Sequence, residues 1–434
     1  MSLNLDPLQT IVLDGGTKGL PATTRPLHLG EIGARGWSIL KGDLPMPLAV
    51  LRRSALVHNS RWMRAYLALS GARIAPHGKT TMCPQLFQMQ LDDGAWAITV
   101  ASVQQLKVCR DFGVGRVLLA NQLMGRQEIA YVLDELRRDA DFEFLCFVDS
   151  IENARELADA ARAAKLSRPL QVLLEIGFPG GRTGCRTAAA ALALARAIAR
   201  EGAALSLRGV AGFEGLFGGG SIEEIEGRVR SFLAFVGEVA ERVESEDLIA
   251  ADQPIILSAG GSGFFDMVVD VFSALRLRSP PEIVIRSGCY LTHDGQMYRA
   301  LFERLCQRHP ELAPLGEGLR PALTLWARVQ SRPEAGKAIL TAGKRDISYD
   351  IHLPTPSSWY RPGLATVTRI PDGHIVTGLN DQHCHLSLPA DSPLAIGDLV
   401  CLDISHPCTT FDKWQLLHVV DDTWTVVGAM RTFF

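Results

Sequence analysis

The sequence predicts a (β/α)8 TIM-type barrel followed by a smaller, mostly β domain. Three observations carry that expectation. Short apolar runs recur between residues 73 and 286 and alternate with helix-like segments. Several of those runs end in residues suited to chemistry, as barrel strands do at their C-terminal rim. After about residue 305 the texture changes to β-rich runs divided by turn signals. The expected domains are therefore a barrel over 46–305 and a β-rich domain over 306–434, completed by residues 1–45.

In chain order, Pro47–Leu51 reads as a strand, and Leu56, Met63 and Leu67 mark a helix. Eight β-like runs follow: Arg73–Pro76, Trp96–Val100, Val117–Ala120, Phe142–Val148, Leu170–Ile176, Leu207–Phe213, Ile255–Ser258 and Glu282–Arg286. Helix-like segments separate them at Ser102–Phe112, Arg126–Arg138, Ile151–Lys165, Thr187–Glu201, Ile222–Val243 and Phe264–Leu275. Alternation of this kind predicts a parallel sheet with crossover helices. Periodicity alone does not separate a closed barrel from an open doubly wound sheet; the count of eight units favours closure. Runs at Ala322–Val329, Lys337–Leu340, Ala365–Ile370, Leu399–Ile404 and Thr423–Val427 build the second domain.

Composition narrows the function. The 434 residues are 47% hydrophobic and 21% charged, with a formal net charge of -3 and no block of like charge. That argues against nucleic acid or an anionic membrane as the main partner. Nine thinly spread cysteines do not form a disulfide framework and suit a reducing cytoplasm. No apolar run approaches membrane-spanning length.

Four stretches carry chemistry. In Pro76-His77-Gly78-Lys79-Thr80, a lysine ends an apolar run. Dry neighbours there would lower its pKa and make it a nucleophile or Schiff-base former, although a solvated lysine at a strand end is the commoner case. Ser258-Ala259-Gly260-Gly261-Ser262-Gly263 links a run to a helix start. Its backbone N–H groups suit a phosphate, and a tight turn needing positive φ explains the glycines equally well. Arg182, in the Gly-rich loop after the fifth run, could bind a carboxylate, phosphate or phenolate oxygen, or simply face solvent. His406 and Cys408 would share one face of a strand and could ligate one ion, zinc above all. A half-buried strand pair is the competing account. His383, Cys384 and His385 form a second metal-friendly window. Glu214, after the sixth run, is a chemically reasonable carboxylate partner for a protonated ring. His77 packs beside a cofactor or shapes the turn.

Together and in this order, these stretches resemble the D-serine dehydratase and D-threonine aldolase family of fold-type III pyridoxal-phosphate enzymes, whose barrel is like that of alanine racemase. The anchors are Pro76-His77-Gly78-Lys79-Thr80, Arg182 with Gly184, Leu257–Gly263 and His406-Pro407-Cys408. The resemblance implies that Lys79 bears the cofactor and shuttles the α-proton. Ser258–Gly263 would hold the phosphate, and Arg182 would stand near the phenolate oxygen. His406 and Cys408 would hold a divalent metal beside the β-hydroxyl of a D-amino acid. A homodimer is implied as well. Departures from the family pattern are Thr81 for a histidine, Gly212-Phe213-Glu214-Gly215-Leu216 for Gly-Leu-Gln-x-Tyr, and Gln382-His383-Cys384-His385 for Glu-His-Gly-His. The second of these removes the expected aromatic neighbour of the cofactor.

The implied reaction is β-elimination to a 2-oxo acid and ammonia. Retro-aldol cleavage to glycine and an aldehyde is the alternative. His-x-Cys with zinc resembles the dehydratases, and His-x-Asp with manganese or magnesium the aldolases. Barrel-only relatives that bind pyridoxal phosphate without clear catalysis form a third class, which the second domain and the His406/Cys408 pair disfavour.

Overall fold

The computed structural model describes residues 2–249 and 253–434. It divides into two compact units. One comprises chiefly Arg64–Lys79 and Gln90–Gly288; the other comprises Asn4–Met63, Thr80–Met89 and Cys289–Phe434. The division at Gly288/Cys289 falls before the expected 305/306, and residues 46–63, expected in the barrel, fall in the second unit.

The first unit holds eight parallel strands: β1 (Arg73–Ile74), β2 (Ile98–Val100), β3 (Arg116–Gln122), β4 (Glu143–Val148), β5 (Leu170–Ile176), β6 (Leu205–Gly212), β7 (Ile256–Ala259) and β8 (Glu282–Ile285). They match the eight apolar runs. From β2 to β8 each strand pairs with the next in sequence, and β8 pairs with β1. Past the short strand β1 the seam to β2 is carried by three contacts. The Trp96 N–H donates to Ile74 O at 2.7 Å, the Thr99 N–H donates to Pro76 O at 2.9 Å, and His77 and Thr99 form a parallel bridge.

Ala75, Ala97, Leu118, Leu145, Phe147, Leu173, Ala211, Ile256 and Val284 pack into one buried cluster. All eight strand regions contribute, so the interior is filled rather than hollow. Burial on both faces is why these strands read as apolar runs. Four crossover helices begin at side-chain caps: Ser102 accepts from Gln105 N, Ser150 from Asn153 N, Thr187 from Ala190 N and Ser221 from Glu224 N.

Close packing makes one glycine obligatory. A Cβ on Gly209 would lie 1.9 Å from the backbone oxygen of Ile256 on the neighbouring strand. A backbone atom inside a parallel pair cannot yield as a flexible side chain can. Gly209→Ala is expected to lower Tm by at least about 5 °C or to prevent folding, as read by thermal melts of purified protein.

The second unit is mostly antiparallel β. Leu323–Glu334 pairs with Leu399–Asp403, with Lys337–Leu340 and with Leu48–Arg52. Leu48–Arg52 is the strand expected before the barrel, and its place is in this sheet, where it also runs parallel to Leu416–Val420. Among the described residues, no helix is long and apolar enough to cross a membrane.

Candidate active site

In the barrel unit the site begins where β1 stops. Ala75 N–H donates to Ile285 O at 2.8 Å, and the chain then turns through Pro76 and His77 into a single helical turn, Gly78–Thr80. Lys79 sits in that turn, partly exposed. Among the described residues its amine makes no hydrogen bond or ion pair, which leaves it available for covalent chemistry. Next to it, His77 has a buried Nδ1 without a hydrogen-bond partner. Burial holds this imidazole well below its ordinary pKa, and the positive charges of Lys79, Arg286 and Arg182 push the same way. His77 is therefore neutral at pH 7 and offers an unsatisfied ring nitrogen.

The turn after β7 is built for an anion, and an anion is in it. Gly260 has φ +92°, a conformation that favours glycine. The Glu214 carboxylate, 0% exposed, accepts from the Gly260 N–H at 3.0 Å and the Gly261 N–H at 2.7 Å. These are partners other than the ring nitrogen expected from the sequence. Ser262 and Gly263 complete the turn, half-buried. A Cβ on Gly261 would come within 3.1 Å of the Phe213 ring. Arg182, exposed, lies over the same ring, its Cζ 4.9 Å from the centroid. Phe213 thus supplies an aromatic surface one residue before Glu214, where sequence reading expected none.

Ser258 corrects the sequence expectation more strongly. Its hydroxyl donates to Val284 O at 3.0 Å and accepts from Arg286 Nη1 at 2.6 Å. It is fully buried in the barrel, so it serves Arg286 rather than a phosphate. Arg286, missed in the sequence, is 5% exposed and also donates to Gly212 O at 2.6 Å. Burial lowers its pKa to about 10, against the raising effect of Glu214 and Glu175. The guanidinium stays charged and balances the buried Glu214 carboxylate. Its only sequence signal was a cation ending the last apolar run.

The second unit holds the other cluster. His406 and Cys408 do not share a strand: the strand ends at Asp403, and Cys408 opens a one-turn helix, Cys408–Phe411. Pro407, with φ -56° and ψ -45°, adopts helical backbone and has no N–H for a ladder. The two side chains still lie near enough to influence one another: the Cys408 sulfur favours the charged imidazole, and the imidazole favours the anionic sulfur. His406 Nδ1 bonds Asp350 Oδ2 at 2.6 Å, and Asp350 Oδ1 accepts from the Thr409 hydroxyl at 2.7 Å. Burial opposes the charged imidazole, but Cys408 and Asp350 outweigh it and carry its pKa up to about 9. The Cys408 thiol lies well below its ordinary pKa, through hydrogen bonds to Cys289, His406 and Thr80. Nearby, Asp294 Oδ2 is buried with no partner; burial raises its pKa to about 6, while His406 and His352 pull the other way.

Sulfur, an imidazole and the carboxylate orienting it are donor types that suit a divalent cation, although among the described residues no three His, Cys, Asp or Glu side chains are grouped to hold one. The other window does not join it. His385 Nε2 bonds Asn380 Oδ1 at 2.6 Å, and the Cys384 thiol is buried in a strand and pushed up to about 12. Asp350 lies 56 positions before His406 and carried no motif in the sequence.

An eight-stranded parallel barrel with a lysine after its first strand, joined to a mostly antiparallel β unit, defines the alanine racemase-like class. The family models agree: "Alanine racemase, N-terminal domain" matches residues 51–252 and "Putative serine dehydratase domain" matches residues 322–420. The chain thus matches both domain models that fold-type III pyridoxal-phosphate enzymes of this kind combine. It is 25% identical over 389 residues to a D-threonine aldolase of Arthrobacter sp, covering 88% of this chain and 91% of that protein. It is 25% identical over 321 residues to a 3-hydroxy-D-aspartate aldolase of Paracoccus denitrificans, covering 72% and 76%.

Solved structures extend the likeness of fold. The D-threonine aldolase of Filomicrobium marinum superposes with a TM-score of 0.71 at 22% identity, over 92% of this chain and 97% of that one. A metal-free cysteine-to-alanine variant of D-threo-3-hydroxyaspartate dehydratase gives 0.68 at 20% identity, over 92% and 99%.

Proposed function

We propose that this chain is a pyridoxal-phosphate- and metal-dependent lyase of β-hydroxy-D-amino acids, eliminating the β-hydroxyl to give a 2-oxo acid and ammonia. The observation that carries elimination is the thiolate of Cys408 beside His406, a zinc-type donor pair. Pyridoxal phosphate, when bound, supplies an electron sink for charge developing at the substrate Cα, and a divalent ion supplies a Lewis acid for an oxygen leaving group.

The chain's own residues divide the remaining work. Lys79 provides the amine that carries the cofactor and then takes the proton from Cα. Gly260, Gly261, Ser262 and Gly263 hold the phosphate, and the Glu214 carboxylate in that turn supports its taste for anions. Arg182, lying over Phe213, binds the phenolate oxygen. His77, neutral, presents its unpaired Nδ1 to the cofactor. His406 and Cys408 hold the metal, with Asp350 fixing the imidazole. Lys79 takes the Cα proton and the β-oxygen leaves as hydroxide, the two together accounting for one water; the released enamine then hydrolyses to the 2-oxo acid and ammonia. All nine cysteines are free thiols, in keeping with a cytoplasmic home, and a homodimer follows the family.

A second reading, retro-aldol cleavage to glycine and an aldehyde, is favoured by the two relatives named as aldolases. Product analysis separates them. Purified protein loaded with pyridoxal phosphate and zinc is incubated with D-serine, D-threonine and β-hydroxy-D-aspartate. Elimination yields ammonia and a 2-oxo acid in equal amounts. Glycine with an aldehyde would overturn it.

A further inference from the structure

We propose that Cys289 is a third protein ligand to the divalent metal, completing a His406–Cys408–Cys289 site. The inference rests on the reading that His406 and Cys408 hold a metal, and it goes further by naming a ligand that no motif assigns.

The geometry is in the sulfur pair. Cys289 Sγ lies 3.8 Å from Cys408 Sγ. Two thiolates bound to one tetrahedral zinc at about 2.3 Å each stand about 3.8 Å apart. The sulfurs are thus already spaced as ligands of one ion. Their surroundings suit anionic sulfur. Thr80 Oγ1 lies 3.5 Å from Cys408 Sγ and 4.0 Å from Cys289 Sγ, so one hydroxyl attends both. Tyr298 also stands near Cys289. Cys289 itself is 4% exposed, out of reach of bulk reagents.

Among the described residues, no three His, Cys, Asp or Glu side chains yet stand close enough to cage an ion. The sulfur pair already has the spacing of two ligands of one ion, and His406 is the third donor that would close on it. Asp350 bonds Nδ1 and leaves Nε2 as the ligating nitrogen. Two thiolates and one imidazole leave a fourth position open, the pattern of a catalytic rather than a structural zinc site. Such a set selects zinc strongly over manganese or magnesium, whose preferred ligands are oxygens. Cys289 would therefore fix the identity of the metal as well as its affinity.

Cobalt(II) substitution counts the thiolates without reference to turnover. Metal-free protein, kept reduced, is titrated with cobalt(II), and the sulfur-to-cobalt charge-transfer band in the near ultraviolet is measured. The expected wild-type intensity is that of two thiolates per cobalt. Cys289→Ser should lose about half of it and weaken zinc binding at least about 10-fold in competition with a chromophoric chelator. Cys289→Ala serves as a second variant, and the circular dichroism and Tm of metal-free protein verify that each is folded. A wild-type band of one-thiolate intensity, unchanged in Cys289→Ser, would overturn the role of Cys289 while leaving His406 and Cys408 as the metal pair. A wild type that binds no cobalt at all would overturn both.

Discussion

Lys79→Ala is expected to abolish the visible absorption of pyridoxal-phosphate-loaded protein and to lower turnover by about four orders of magnitude or more. The size of the effect follows from the two tasks placed on one amine. In the proposed function it carries the cofactor covalently and takes the Cα proton. Nothing else near the end of β1 can replace it: His77 is held neutral and lacks an amine, and Thr80 offers only a hydroxyl. Barrel stability should change little, because the Lys79 side chain makes no hydrogen bond or ion pair among the described residues. Borohydride trapping and peptide mapping give the direct check. The wild type should carry the pyridoxyl label on Lys79. A variant still labelled at the same stoichiometry on another lysine would remove Lys79 from its role.

His406→Ala separates the metal from the organic cofactor. Divalent metal content should fall to background and turnover by about 100- to 1000-fold, while the pyridoxal phosphate content stays at the wild-type level. The reason is local. His406 is tied to Asp350 and Cys408 within the second unit, whereas Lys79 and the Gly260–Gly263 turn belong to the barrel. Removing the imidazole also leaves the Asp350 carboxylate with only the Thr409 hydroxyl as partner. Metal analysis and cofactor absorbance on one preparation decide the matter. Turnover that survives both this substitution and prolonged chelation would eliminate the metal from the reaction.

Much of the barrel was legible because its strands are buried on both faces. Burial turns each strand into a compact apolar run, and Ser102, Ser150, Thr187 and Ser221 mark helix starts in single residues. Lys79, Arg182 and the Gly260–Gly263 turn were legible because barrel chemistry gathers at strand ends. Three-dimensional convergence was not. Asp350 and Cys289 reach His406 and Cys408 from distant chain positions with no periodic signal. The strand expected around His406 failed because Pro407 takes the chain into a helical turn. Ser258 looked like part of the glycine turn, but a β-strand alternates its side chains, and this one points at Arg286.

Glu214 gives the glycine turn a property that empty anion sites lack. Its carboxylate is a tethered ligand, present at a high effective concentration and already bonded to two backbone amides. The turn therefore never pays for orphaned donors while it waits. A phosphate entering those amides gains only the difference between its own bonds and those of the resident carboxylate. Under the proposed role of this turn, cofactor affinity would be the outcome of an exchange between two anions, one of which is part of the chain.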